Sequence, residues 1–216
     1  QWLLREIEKS KSGLTSNEKL SIFSIIGSND SFLRELFSRC SPGSGKEANP
    51  LYQNPKKIQK YFEESFGKPL TKKLDTLTQG TKHSTSPIME SIKILLNQKE
   101  FSPNINNRKL YIVSDMLQNT QEISHYRPYN FGELEKANYF KNGNPNLDSV
   151  EVRIYYVANN YPNARIIQNE KHQNFWLNYF NKLGAKNVEL IPISYLSIET
   201  PSKRKNVAKK PPSIRK

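Results

Sequence analysis

Lys109-Leu110-Tyr111-Ile112-Val113-Ser114-Asp115 is the stretch that decides the fold. A short apolar run closed by Ser-Asp suits a buried parallel strand. The elements around it carry matching signals. Upstream, Ser86-Pro87 opens a helix whose Ile88, Met89, Ile92, Leu95 and Leu96 recur at helical spacing. Downstream, residues 151–157 read as another strand. Residues 170–183 follow as an amphipathic helix, with Phe175, Trp176, Tyr179 and Phe180 inward and Gly184 as its stop. Residues 187–193 supply a last strand. Strands alternating with helices of this length predict an α/β fold with a mainly parallel sheet.

The N-terminal part reads differently. Residues 1–9 suggest a helix with Trp2, Leu3 and Ile7 on one face. Residues 19–25 alternate polar and apolar, the period of a strand. Turn chemistry at 27–30 lets residues 32–37 return as a second strand, giving an antiparallel hairpin. A loop rich in Pro, Gly and Asn runs from Cys40 to Pro55. A helix is expected over 55–66, continued by 70–77. The expected architecture is an α/β three-layer open sheet, mostly parallel, with one antiparallel edge hairpin and helices on both faces. A domain over residues 1–195 is followed by a basic disordered tail over 196–216.

The chain has 216 residues, with 33 Lys+Arg against 20 Asp+Glu and a formal net charge of +13. Its length favours one domain with an appendage. A single cysteine, Cys40, excludes an intramolecular disulfide and a cysteine-built zinc site. No run approaches the roughly 20 apolar residues that cross a bilayer. The first residues, Gln1-Trp2-Leu3-Leu4, already lie in a helical pattern without a Met, so the true start is expected upstream, where a signal or membrane anchor is open. Residues 200–216 hold seven basic and no acidic side chains, leaving 13 − 7 = +6 for the 199 residues before them. Lys203, Arg204, Lys205, Lys209 and Lys210 suit electrostatic contact with nucleic acid, an anionic membrane surface or an acidic partner. The plainer reading is a solubilising terminus. No aromatic residue interleaves with them, which argues against a stacking platform for single strands.

Ser41-Pro42-Gly43-Ser44-Gly45-Lys46 invites a phosphate-loop reading, but the pattern needs Gly five residues before Gly45, where Cys40 stands, and Ser or Thr where Glu47 stands. His83, His125 and His172 share no metal-ligand spacing, and His172 lies on the aromatic helix, where packing or surface exposure explains it. No nucleophile elbow appears. Asp115 remains, at the carboxyl end of a strand, the edge at which open α/β sheets bind ligands. The cluster His83-Ser84-Thr85-Ser86-Pro87 precedes a helix start and can reach that edge. Asp115 with the Thr85 hydroxyl and waters is an oxygen set suited to Mg²⁺ or Mn²⁺. The structural alternative is that Thr85 or Ser86 caps a helix and Asp115 satisfies loop N–H groups.

The order hairpin, helix, Thr-Ser-Pro helix start and apolar strand ending in Ser-Asp resembles a von Willebrand factor A-like domain. Thr85 matches the second element of that family's metal-ion-dependent adhesion site, and Asp115 the third. The first element would stand on a strand preceding this sequence. Phe37-Ser38-Arg39-Cys40-Ser41-Pro42-Gly43, Ser114-Asp115-Met116-Leu117-Gln118-Asn119-Thr120 and Phe175-Trp176-Leu177-Asn178-Tyr179-Phe180 are similar to an uncharacterised bacterial branch of these domains. Members of that branch carry a membrane-anchoring segment before the domain. The resemblance spans residues 1–195 and implies a non-enzymatic protein-interaction module. In it Thr85 and Asp115 would hold Mg²⁺ or Mn²⁺, Ser84 and Ser86 would orient the loop, and a partner's carboxylate would complete the shell. No small-molecule substrate is evident. The rival expectation is a nucleic-acid-associated protein acting through the tail, and a third is an enzyme with carboxylates upstream.

Overall fold

The computed structural model describes residues 2–27, 32–75, 84–136 and 146–193. The hairpin tip at 28–31, His83 and the tail with Lys203, Arg204, Lys205, Lys209 and Lys210 lie outside the described residues. The protein is mixed α/β, and its described residues form two separate sheets. Helix α1 (Trp2–Ser12) leads into the antiparallel pair β1 (Lys19–Ile25) and β2 (Leu33–Cys40). The register slips between Ile22 and Phe23, a bulge that sharpens the local twist. The expected hairpin is present, but among the described residues it forms its own sheet and not an edge of the parallel one.

A helical arm covers this hairpin. Helix α2 (Pro55–Phe62) starts as its sequence dictates, with Pro55 in the first turn and the Asn54 side chain accepting from Lys57 N–H. A π-turn, Glu63–Gly67, joins it to α3 (Lys68–Asp75). Pro69 has no N–H to return to the Ser65 carbonyl. Arg39 of β2 donates there instead, at 2.7 Å. Phe37, Phe62, Phe66, Leu70 and Leu74 form the core of this unit, with Ile7 of α1 packed against it.

The second unit holds the parallel sheet. Helix α4 (Ile88–Leu96) precedes β3 (Arg108–Ser114), followed by α5 (Phe131–Lys136), β4 (Val150–Val157), α6 (Pro162–Ile167), α7 (Glu170–Lys182) and β5 (Asn187–Ile193). The strand order is β3-β4-β5, all parallel, with Leu110 beside Val152 and Ile154 beside Leu190. Gly184 ends α7 at φ +86°, the left-handed value that glycine adopts without strain. Leu110, Ile112, Val152, Ile154 and Tyr156 share one sheet face, where they meet Ile88, Met89 and Ile92 of α4 and Phe175, Trp176 and Phe180 of α7.

The opposite face is only partly covered. Tyr155 is buried there and its hydroxyl bonds to Glu6 of α1 at 3.1 Å. Tyr111 and Val113 of β3 remain 43% and 38% exposed. β3 is thus parallel as its sequence suggests, yet buried on one face, because it stands at the sheet edge away from α1's contact. The two units meet where Ile25 packs on the larger core and Ser91 of α4 donates to the Phe32 carbonyl. Among the described residues no helix is long and apolar enough to cross a membrane.

Candidate functional site

The carboxyl ends of β3, β4 and β5 carry the residues with chemical potential. Ser114 closes β3 and its hydroxyl accepts from Met116 N–H at 2.9 Å. Asp115 follows, half-buried. Its Oδ1 accepts from Leu117 N–H at 3.1 Å and its Oδ2 from Asn159 Nδ2 at 2.9 Å. Asn159 sits in the segment after β4, so this carboxylate joins the loops of two neighbouring strands. Gln168 reinforces the joint. Its amide nitrogen donates to the carbonyls of Asp115 and Val157, and its oxygen accepts from Asn159 N–H. The expectation that Asp115 satisfies a loop N–H is met.

The Thr-Ser-Pro segment is drawn to the same rim. Ser86 and Asn119 exchange both backbone hydrogen bonds, at 2.8 and 3.0 Å, and the Asn119 side chain donates to the Ser84 carbonyl. Gln118, fully buried, accepts from Met89 N–H at the start of α4 and donates to Glu90. The Ser-Asp loop therefore caps this helix. Pro87 stands at the N-cap and no side chain caps from there, so the helix-capping role expected of Thr85 or Ser86 falls to Gln118 across the rim. Thr85 is exposed, as is Ser84, while Ser86 is half-buried.

A metal reading can be tested on this donor set. A carboxylate has about four acceptor positions, and Asp115 uses two of them. The Thr85 hydroxyl makes no hydrogen bond among the described residues. These are hard oxygen donors, in keeping with Mg²⁺ or Mn²⁺ chemistry. Among the described residues, no three His, Cys, Asp or Glu side chains gather in a metal-binding arrangement.

Beneath the rim lies a buried polar chain that sequence reasoning missed. Tyr156 Oη meets His172 Nδ1 at 2.6 Å, and His172 Nε2 faces both the Met116 carbonyl at 3.1 Å and His125 Nδ1 at 2.8 Å. A carbonyl can only accept, so we place the His172 hydrogen on Nε2, and Nδ1 then accepts from the tyrosine. His125 lies in an aromatic box, with Tyr129 and Phe175 rings at 4.5 and 4.8 Å, and its Nε2 is buried without a partner among the described residues. Burial pushes His172 down to about 4 and His125 to about 3, the latter aided by the neighbouring His172. Both imidazoles are neutral at pH 7. Burial raises Tyr156 above its ordinary value, so it keeps its proton.

Met116 is the pivot of this arrangement. It is fully buried with φ +58°, a left-handed conformation uncommon outside glycine. Its carbonyl accepts from Trp176 Nε1 at 2.8 Å as well as from His172. The partial signal for this cluster was the His172–Trp176 spacing of four on the aromatic helix. Nothing local ties either residue to Met116, His125 or Tyr156.

The phosphate-loop look-alike has another role. Glu47 accepts from Ser44 N–H and Ser16 N–H, both at 2.8 Å, and Gln59 accepts from Gly45 N–H. Internal side chains thus take the N–H groups an anion would need. The Ser44 and Ser16 N–H groups hold the Glu47 carboxyl below its ordinary value. A Cβ on Gly45 would run into the Pro55 carbonyl, which explains the glycine.

No family model, curated protein or solved structure matches this chain. The candidate site therefore rests on its own geometry.

Proposed function

We propose that this chain is a non-enzymatic protein-interaction module of the von Willebrand factor A-like kind, presenting the carboxyl-end rim of its parallel sheet to a partner. The observation that carries the reading is the joint at that rim. The Ser86–Asn119 exchange and the Asp115–Asn159 bond hold three loops in one fixed arrangement. A preformed rim lowers the ordering cost of docking. In this reading a divalent ion takes the unused lone pairs of Asp115 and the Thr85 hydroxyl, Ser84 and Ser86 orient the loop, and a partner's carboxylate completes the shell. The three-layer sheet expected of such domains belongs to the same proposal.

Calorimetric titration with MnCl₂ tests it. Wild-type protein is expected to bind Mn²⁺, and Thr85→Ala and Asp115→Asn to weaken binding about tenfold or more, each removing or neutralising a ligand oxygen. Asn at 115 still accepts from Leu117 N–H, so a folded variant with lost binding is the expected pair of results. Equal binding by wild type and both variants would discard the ion.

The charge of residues 200–216 favours a second reading, contact with nucleic acid through Lys203, Arg204, Lys205, Lys209 and Lys210. Retention on a duplex, compared with and without residues 200–216, is expected to show a steep salt dependence that the deletion flattens by up to about six ions, at roughly 0.9 per phosphate contact. Identical salt slopes would remove this reading.

A further inference from the structure

A recess opens beside the rim, between the ends of β4 and β5 and the helices α6 and α7. Its volume is about 290 Å³, and Tyr156, Ala158, Arg165, Gln173, Pro192 and Ile193 line it. The lining divides by chemistry. Ala158, Pro192 and Ile193 supply apolar wall. Gln168 also borders the recess, but both its N–H groups and one acceptor position of its oxygen are taken by Asp115, Val157 and Asn159. Arg165 is different. Its Nε donates to the Asn159 carbonyl at 3.2 Å, which fixes the guanidinium, while its two Nη groups have no hydrogen bond or ion pair among the described residues. The Gln173 side-chain amide is likewise uncommitted among the described residues.

We propose that this recess binds an amphipathic carboxylate, with the anionic head on Arg165 and Gln173 and the apolar body against Ala158, Pro192 and Ile193. A guanidinium held by one N–H presents its remaining donors as a planar fork, which matches a carboxylate in two parallel bonds. The volume lies at the lower bound for small-molecule sites, enough for a branched or aromatic acid of modest size. The position also suits a ligand, since the carboxyl ends of parallel strands are where open α/β sheets bind them. The same chemistry is presented by a free small acid and by the last residue of a polypeptide. This site is separate from the Thr85–Asp115 ion site and does not need it.

The test uses the full chain in EDTA, which silences any divalent ion. N-acetyl-leucine is titrated against N-acetyl-leucine amide, the same body without the charge, following the amide NMR shifts of Arg165 and Ile193. The acid is expected to bind, the amide to bind at least about tenfold more weakly, and Arg165→Gln to lose the same factor for the acid. Arg165 is exposed, so its variant keeps the core intact. An octapeptide ending in leucine, with a free or an amidated terminus, identifies the source. Tighter binding of the free peptide than of the acid assigns a polypeptide end, and the reverse assigns a free acid. No binding by the acid or the free peptide, or binding indifferent to charge or to Arg165→Gln, overturns the proposal. That outcome beside intact Mn²⁺ binding would leave the ion reading standing, so the two failures are distinguishable.

Discussion

Trp176→Ala is expected to cost about 3–5 kcal/mol, the range for removing a large aromatic side chain from a packed core. Trp176 is completely buried and sits among Phe175, Tyr179 and Phe180 with centroid separations of 5.4–6.1 Å. It also provides the 2.8 Å donor to the Met116 carbonyl. Against a typical stability of about 5–15 kcal/mol, the loss would leave the protein marginal. Trp176→Phe separates the two contributions. It keeps most of the apolar body and withdraws only the N–H, so about 1–2 kcal/mol should remain as the cost of the weakened carbonyl. Urea unfolding followed by circular dichroism reads both. A Phe variant within about 0.5 kcal/mol of wild type would mean that His172 alone satisfies Met116, and the pivot argument would fail.

Acid is expected to destabilise the protein in a window set by its buried histidines. His125 and His172 sit at about 3 and about 4 when folded, against about 6.5 for an exposed imidazole. Above pH 6.5 both states leave the rings neutral, and the full stability is present. As pH falls below 6.5, the unfolded chain takes up protons that the folded one refuses, so stability declines toward the folded values. Each histidine contributes a slope of up to about 1.4 kcal/mol per pH unit, and the pair about 4 kcal/mol between pH 7.5 and pH 5. Carboxylates held low, such as Glu47, add loss in the same direction at lower pH. His125→Phe provides the control. The ring fits the box made by Tyr129 and Phe175, and the buried Nε2, without a partner among the described residues, disappears. At pH 7 the variant should be as stable as wild type or more so, because an orphaned buried polar group costs about 1–3 kcal/mol. Below pH 6.5 its stability should fall with one proton less of slope. Parallel profiles for the two proteins would show that His125 is not buried neutral.

The strands and the large helix were legible because each is a local pattern. The apolar run at β3, its counterpart at β4, and β5 over Asn187–Ile193 were read at or within a residue of their bounds. The aromatic stripe of α7 and its Gly184 stop needed no partner to be seen. Helices α5 and α6 were not read, being six residues each with little periodicity. The π-turn also escaped, because only Arg39 on β2 shows where the Ser65 carbonyl that Pro69 cannot bond is satisfied. At the rim, Asp115 and the Thr-Ser-Pro segment were found from position and chemistry. Their clamps Asn159 and Gln168 carry no motif, and Gln118, although inside the Ser114–Thr120 stretch, gives no local sign that it reaches the start of α4. Arg165 was not singled out either, since an arginine in a polar loop looks like any surface charge until a recess stands beside it.

By itself the sequence determined the alternation of strands and helices, the parallel sense that long helical crossovers between strands allow, and which face of each helix is apolar. It also settled the charge of residues 200–216, since that is a matter of composition. Tertiary structure decided the rest. It set the hairpin in a sheet of its own, left Tyr111 and Val113 of β3 open, and brought His125, Tyr156 and His172 together across 47 residues of chain. Periodicity is fixed by bonds between near neighbours, which the order of residues encodes directly. A buried polar contact depends instead on which surfaces meet, and that follows from the packing of all the faces at once.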